Sequence, residues 1–100
     1  MTPGARVSLC GDCGWSGLPE RLWCPACESG RMRDARAQAG VVEETTQVRR
    51  GGGIVGEASR IGTVRLAGGG TIVARLAPGA SEGGRVRLFD DNGATVARPL

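Results

Sequence analysis

Four cysteines fall in two pairs, Cys10-Gly11-Asp12-Cys13 and Cys24-Pro25-Ala26-Cys27, with the spacing C-x2-C-x10-C-x2-C. A CxxC turn places two sulfurs on one side of a tight loop, close enough to share an ion. A second such turn completes a tetrahedron, which is what a structural four-cysteine zinc site requires. Gly11 and Gly14 are expected to relieve the tight backbone of the first knuckle and Pro25 to stiffen the second. The ten residues between the knuckles are expected to form a small hairpin. The set offers four protein ligands and leaves no open position, the pattern of a structural rather than a catalytic ion. The reading taken is one structural Zn2+ held by Cys10, Cys13, Cys24 and Cys27.

Two other chemistries share the spacing. Iron, as in a rubredoxin, relies on an aromatic core around the metal, and only Trp15 and Trp23 lie near in sequence. A redox dithiol of the thioredoxin type sits at the start of a helix in a βαβ unit, and this segment shows no such context.

Elsewhere the residue types argue against catalysis. The chain has no His, so it lacks a His general base, a Ser-His or Cys-His dyad and a His metal ligand. No pair of acidic residues stands out for acid–base work. The triplets Gly51-Gly52-Gly53 and Gly68-Gly69-Gly70 do not match GxxxxGK[ST] and read as turns rather than phosphate cradles. No catalytic residue is expected, and the chain reads as a non-enzyme.

The elements that must position the cysteines are short strands. The chain has 100 residues, 18 Gly and only three aromatics, Trp15, Trp23 and Phe89. A domain of this size has a thin core, and coordination of an ion supplies folding free energy that such a core lacks. Residues 1–9 read as a lead-in, and residues 28–39 as a polar stretch with room for a helical turn. From Gly40 onward apolar and polar residues alternate over Val41–Arg49, Arg60–Leu66, Thr71–Leu76, Arg85–Phe89 and Ala94–Arg98. Val64 and Leu66 share one face, as do Ile72, Ala74 and Leu76, and Val86 and Leu88. Arg65, Arg75, Arg85 and Arg87 fall on the opposite, solvated face. Period two with one apolar face predicts half-buried antiparallel strands. Ala67-Gly68-Gly69-Gly70 suits a hairpin turn, and Asp91-Asn92-Gly93 is a strong turn signal because Asn and Gly tolerate positive φ. The expected fold is mostly β, a rubredoxin-like four-cysteine zinc ribbon over residues 1–38 followed by a small, partly open five-stranded barrel of the OB-fold type over residues 39–100. Trp15 and Trp23 are expected to pack over the cysteine cluster or the ribbon–barrel joint.

All 13 basic residues are Arg and 10 residues are acidic, giving +3. Four thiolates and one divalent ion subtract two, leaving +1, a weak field for a polyanion. No run approaches the roughly 18 apolar residues of a membrane span. The segment MTPGARVSLC carries one Arg and no long apolar stretch, unlike a signal peptide. The expectation is a cytoplasmic protein with reduced thiols and no membrane partner.

The stretch CGDCGWSGLPERLWCPAC, from Cys10 to Cys27, resembles the ribbon of the acyl-CoA-associated zinc-ribbon/OB-fold family known as domain of unknown function thirty-five. The shared marks are the ten-residue spacing, Gly14 after the second Cys, Leu18-Pro19-Glu20-Arg21, and Cys24-Pro25-Ala26-Cys27. Downstream, AGVVEETTQVRR at 39–50 is similar to the family's first barrel strand, Thr63–Leu66 with the following TIVARL to its central hairpin, and GGRVRLFDDNG at 83–93 to its G-x-x-V strand. Family members usually carry a helical arm before the ribbon, whereas nine residues precede Cys10 here, and the barrel is trimmed. The resemblance implies a non-catalytic accessory or scaffold subunit, forming a hetero-oligomer with a thiolase-like or related acyl-CoA or acyl-transfer enzyme and helping to bind CoA or the acyl substrate. No motif singles out residues for CoA. The alternative is a nucleic-acid-binding zinc-ribbon/OB module. The corrected charge of +1 and a barrel whose only aromatic is Phe89 disfavour it, because single-strand binders stack bases on aromatic side chains.

Overall fold

The alternation from Gly40 onward becomes a closed sheet. The computed structural model describes residues 1–18, 20–49 and 58–100. Pro19 and the Gly51-Gly52-Gly53 turn lie outside the described residues. In chain order the strands are β1 (Thr2–Pro3), β2 (Ala5–Cys10), β3 (Ser16–Gly17), β4 (Met32–Ala37), β5 (Ala39–Arg49), β6 (Ala58–Arg65), β7 (Thr71–Leu76), β8 (Arg85–Asp91) and β9 (Ala94–Pro99). Strands β5 to β9 pair in the cyclic order β8-β5-β6-β7-β9-β8, which leaves no edge and makes a five-stranded barrel. All pairings in it are antiparallel except β7–β9, which closes the barrel in parallel through Arg75↔Val96 and Leu76↔Ala97. The expected faces hold. Val64, Leu66, Ile72, Ala74, Leu76, Val86 and Leu88 point inward and are buried, while Arg65, Arg75, Arg85 and Arg87 are exposed.

Strand β5 serves two neighbours. Ala39–Val41 pair with β8, and Val41 onward pairs with β6, with a bulge between Val42 and Glu44 that lets the strand bend around the barrel. Gly62 lies opposite this bend. A Cβ there would sit 2.6 Å from the Glu44 carbonyl and 2.9 Å from Leu76, so the sheet curves only because the side chain is missing. The β8–β9 hairpin turns at Asn92 (φ 52°) and Gly93 (φ 89°), as the Asn-Gly signal requires.

The N-terminal sheet corrects three expectations. Residues 1–9 are not a passive lead-in. They form β1, which pairs with β8 of the barrel, and β2, the middle strand of a second sheet ordered β3-β2-β4. Residues 32–37 form a strand, not a helical turn, held in full register against β2 from Ala5↔Ala37 to Cys10↔Met32. The residues between the knuckles make no hairpin of their own among the described residues. Ser16–Gly17 instead pair with Ser8 and Leu9 of β2.

Ala5 and Val7 of β2 belong to the same buried cluster as Val42, Ile72 and Leu88 of the barrel, with Ala35 and Ala37 of β4 packed against it. The apolar core is therefore continuous from barrel to ribbon, although the cysteines lie beyond it.

Candidate metal centre

The two CxxC turns have one backbone design, used twice. Each begins on a cysteine whose amide donates to the carbonyl five residues on, Cys10 to Trp15 and Cys24 to Ser29, both at 2.8 Å. The amide four residues on returns a bond to that cysteine's carbonyl, Gly14 to Cys10 at 3.2 Å and Glu28 to Cys24 at 2.8 Å. Two further amides donate to its sulfur: Asp12 and Cys13 to Cys10 Sγ at 3.4 and 3.5 Å, and Ala26 and Cys27 to Cys24 Sγ at 3.4 and 3.5 Å. The first cysteine of each turn is buried and the second exposed.

The fourth residue after the leading cysteine must adopt positive φ. Gly14 does so at 82°, as expected of a relieving glycine. In the second turn the same position is Glu28, at φ 63°, a conformation that costs an L side chain about 1–2 kcal/mol. Aligning CGDCG with CPACE places Glu28 on Gly14, so the strained residue could have been read from the sequence. Gly11 plays another part. Its amide donates to the Arg31 carbonyl at 2.8 Å, and a Cβ there would lie 3.3 Å from that oxygen.

The two turns face each other. The four sulfurs all lie within 4.8 Å of one another, with Cys10–Cys27 at 3.6 Å and Cys13–Cys24 at 3.5 Å. A tetrahedral ion with metal–sulfur bonds of about 2.3 Å needs sulfurs about 3.8 Å apart, so this donor set can hold one.

The electrostatics of the four thiols suit a cation. The amides of Cys13 and Asp12 lower the Cys10 thiol to about 6, so it is already a thiolate at neutral pH. At Cys27 the Ser29 amide pulls downward, but the Cys13 sulfur, local desolvation among the clustered sulfurs and the remaining thiols outweigh it and push the thiol up to about 12. Cys13 is likewise raised, the neighbouring Cys24 sulfur and local desolvation among the clustered sulfurs overcoming the Trp15 amide. Sulfurs crowded without a counter-charge resist joint ionisation. A divalent ion removes that resistance, and its binding releases the protons held by Cys13 and Cys27.

An outer clasp joins the turns. Ser29 Oγ donates to the Asp12 carboxylate, the Arg31 amide donates to Ser29 Oγ at 3.1 Å, and the Arg31 guanidinium lies 3.6 Å from Asp12. The spacing of the cysteines gave no signal for these three residues.

The tryptophans divide. Trp15 sits at the joint between ribbon and barrel, where the Gly68–Gly70 turn of the β6–β7 hairpin meets the ribbon backbone. A Cβ on Gly68 would overlap the Gly14 carbonyl, and one on Gly70 would overlap the Ser16 carbonyl and lie 3.0 Å from the indole. The Arg21 guanidinium carbon is 5.8 Å from the Trp15 ring centroid. The Gly68–Gly70 triplet is thus a turn, as expected, and also the seat of the ribbon. Trp23 departs from expectation. It lies beside Gly30 and is 68% exposed, next to Leu22 at 82%.

No protein-family model and no curated protein sequence matches the chain. Among solved structures it is similar to the "Ltp2-ChsH2(DUF35) aldolase", with a TM-score of 0.66 and 24% identity over 96% of this chain and 84% of that one. It is also similar to a protein of unknown function from the DUF35 family of Sulfolobus solfataricus, with a TM-score of 0.64 and 15% identity over 97% of this chain and 76% of that one. Both structures carry the DUF35 name, and the chain shares their fold, which here joins a ribbon bearing four clustered cysteines to a small barrel. Among the described residues no helix is long and apolar enough to cross a membrane.

Proposed function

We propose that this chain is a member of the DUF35 family and works as a non-catalytic accessory subunit of a thiolase-like acyl-CoA or acyl-transfer enzyme. The observation that carries the reading is the whole-chain likeness to the Ltp2-ChsH2(DUF35) aldolase, an assembly in which a DUF35 component stands beside a second protein. The ribbon motif and the order ribbon-then-barrel support the same assignment.

In this reading Cys10, Cys13, Cys24 and Cys27 hold one zinc ion. The ion's contribution is structural, since all four ligands come from the chain and the amides of Asp12, Cys13, Ala26 and Cys27 preset the two leading sulfurs. Zinc binding fixes the ribbon, the ribbon seats on the Gly68–Gly70 turn through Trp15, and the assembled unit presents a rigid surface to the enzyme. The catalytic groups belong to the partner, and this chain's part includes help in binding CoA or the acyl substrate. A cytoplasmic location accords with four free thiols and a metal-binding role.

Co-expression with a thiolase-like enzyme encoded beside it, followed by size exclusion, tests the proposal. The expected result is co-elution, with enzyme activity that falls when this chain is left out. A chain that elutes alone and leaves the enzyme's activity unchanged overturns it. Metal analysis of protein purified without added metal tests the ion, with one zinc per chain expected. Iron in its place, or a reversible disulfide with little metal, would sink the zinc assignment.

A further inference from the structure

Asn92 is the single asparagine of the chain, and it stands directly before a glycine. No aspartate precedes a glycine, so the bonds most prone to cyclise are reduced to this one. The chemistry is an intrachain attack. The Gly93 amide nitrogen, once it has lost its proton, adds to the side-chain carbonyl carbon of Asn92. A nitrogen–carbon bond forms, the bond from that carbon to the side-chain nitrogen breaks, and ammonia leaves with the proton the amide gave up. The product is a five-membered cyclic imide. Water then opens it at either carbonyl, giving aspartate or isoaspartate. Glycine favours the attack because no side chain shields its nitrogen.

The β8–β9 turn sets this dipeptide in the open. Asn92 and Gly93 are exposed, and both hold positive φ, 52° and 89°. A Cβ built on Gly93 meets no atom within 4 Å, so nothing packs over it. The proton that must leave is nevertheless held. The Gly93 amide donates to Asp90 Oδ1 at 2.8 Å. A carboxylate at that distance opposes loss of the proton, because the nitrogen left behind would be a second negative charge. The same bond fixes the turn, whereas attack needs nitrogen and carbon in line at about 3–3.5 Å. Asp90 is itself steadied. Its other oxygen lies 3.8 Å from Arg36 of β4, and its side chain is 22% exposed. Asp91 is engaged elsewhere, 3.7 Å from Arg75.

We propose that Asn92 is a site of spontaneous deamidation and that Asp90 is the positioning residue that sets its rate, keeping the Gly93 amide protonated and out of line. The reaction adds a carboxylate beside Asp90 and Asp91 and, in its isoaspartyl form, one more backbone carbon to the turn. That turn leads into β9, the strand that closes the barrel, so the modified chain is less stable. The inference rests on the barrel alone and does not depend on the accessory-subunit reading.

The test incubates the full-length, metal-loaded chain at neutral pH and follows intact mass and peptide maps. Deamidation confined to the peptide carrying Asn92, with isoaspartate among the products, is expected. The same chain held unfolded in denaturant should react about tenfold faster or more, the equivalent of one hydrogen bond to a charged group. Asp90→Ala should raise the folded rate by about the same factor. Asp90→Asn, which keeps an acceptor oxygen without its charge, should fall between. Asp91→Ala breaks the neighbouring ion pair and leaves the Gly93 hydrogen bond in place, so its rate should stay within about twofold of the parent. Amide exchange separates a lost restraint from a melted hairpin, since protection along β8 and β9 should persist in Asp90→Ala while Asn92 reacts faster. Loss of that protection in step with the reaction would overturn the role of Asp90, as would equal rates in the folded and unfolded chain. Deamidation at Gln38 or Gln47 in place of Asn92 would overturn the site itself.

Discussion

Ribbon and barrel are both small β structures, yet they are held by different forces. The barrel closes on itself, and its interior is a set of fully buried aliphatic side chains, Val42, Val64, Ile72, Val86 and Leu88. The tip of the ribbon buries little beyond two cysteines, while Leu18, Leu22 and Trp23 stay exposed. In the barrel, order comes from removing apolar surface from water. In the ribbon tip it comes from amides aimed at sulfur and, under the proposed zinc assignment, from an ion that would make the convergence of four thiolates favourable. A core-poor segment becomes rigid when its polar atoms share one focus.

The strongest way to break this comparison is to remove the ion. Structural zinc in small domains contributes about 10–16 kcal/mol of apparent binding free energy, so chelation should unfold the tip. Amide exchange should show protection lost at Cys10–Ser29 and largely kept at β6, β7 and β8. A tip that stays protected without metal would place its stability in packing after all. The converse test is Leu88→Ala, which should cost about 2–5 kcal/mol in chemical denaturation while each folded chain keeps its full metal content. Next comes the joint. Gly70→Ala places a methyl against the Ser16 carbonyl and should cost about 1–3 kcal/mol, with a shift in Trp15 fluorescence that an effect confined to the barrel would not produce. The smallest change sharpens the comparison between the two knuckles themselves. Glu28→Gly should raise stability by about 1 kcal/mol, whereas Gly14→Ala should lower it by about as much. Equal and opposite shifts in metal-loaded melting would show that the second turn carries backbone strain the first avoids.

The barrel was legible because strands such as Thr71–Leu76 and Arg85–Asp91 place apolar residues at alternate positions, and β8 runs into the Asn92-Gly93 turn. The cysteine site was legible because CxxC spacing nearly determines its local geometry. Strand β4 was not. Its sequence, MRDARA, has no β-branched residue, and its inward positions are the alanines Ala35 and Ala37, which carry too little apolar surface to mark a face. Pairing with β2 decides its structure, against the helical leaning of Ala, Arg and Met. The double duty of Gly68 and Gly70 was hidden for a related reason. A turn explains such glycines fully until one knows which backbone approaches them.

The pairing of β1 with β8 has a temporal consequence. Thr2 meets Asp90 and Pro3 meets Phe89, so the first strand finds its partner only near the far end of the chain. The cysteine turns lie seventeen positions apart at most and can gather early, with short loops to close. A chain emerging from the ribosome can therefore organise its metal knuckle long before the barrel has a seam to seal. During that interval β2 offers Ala5 and Val7 to a core that does not yet exist. Assembly order, and not only final stability, would thus make early capture of the proposed ion useful to this fold.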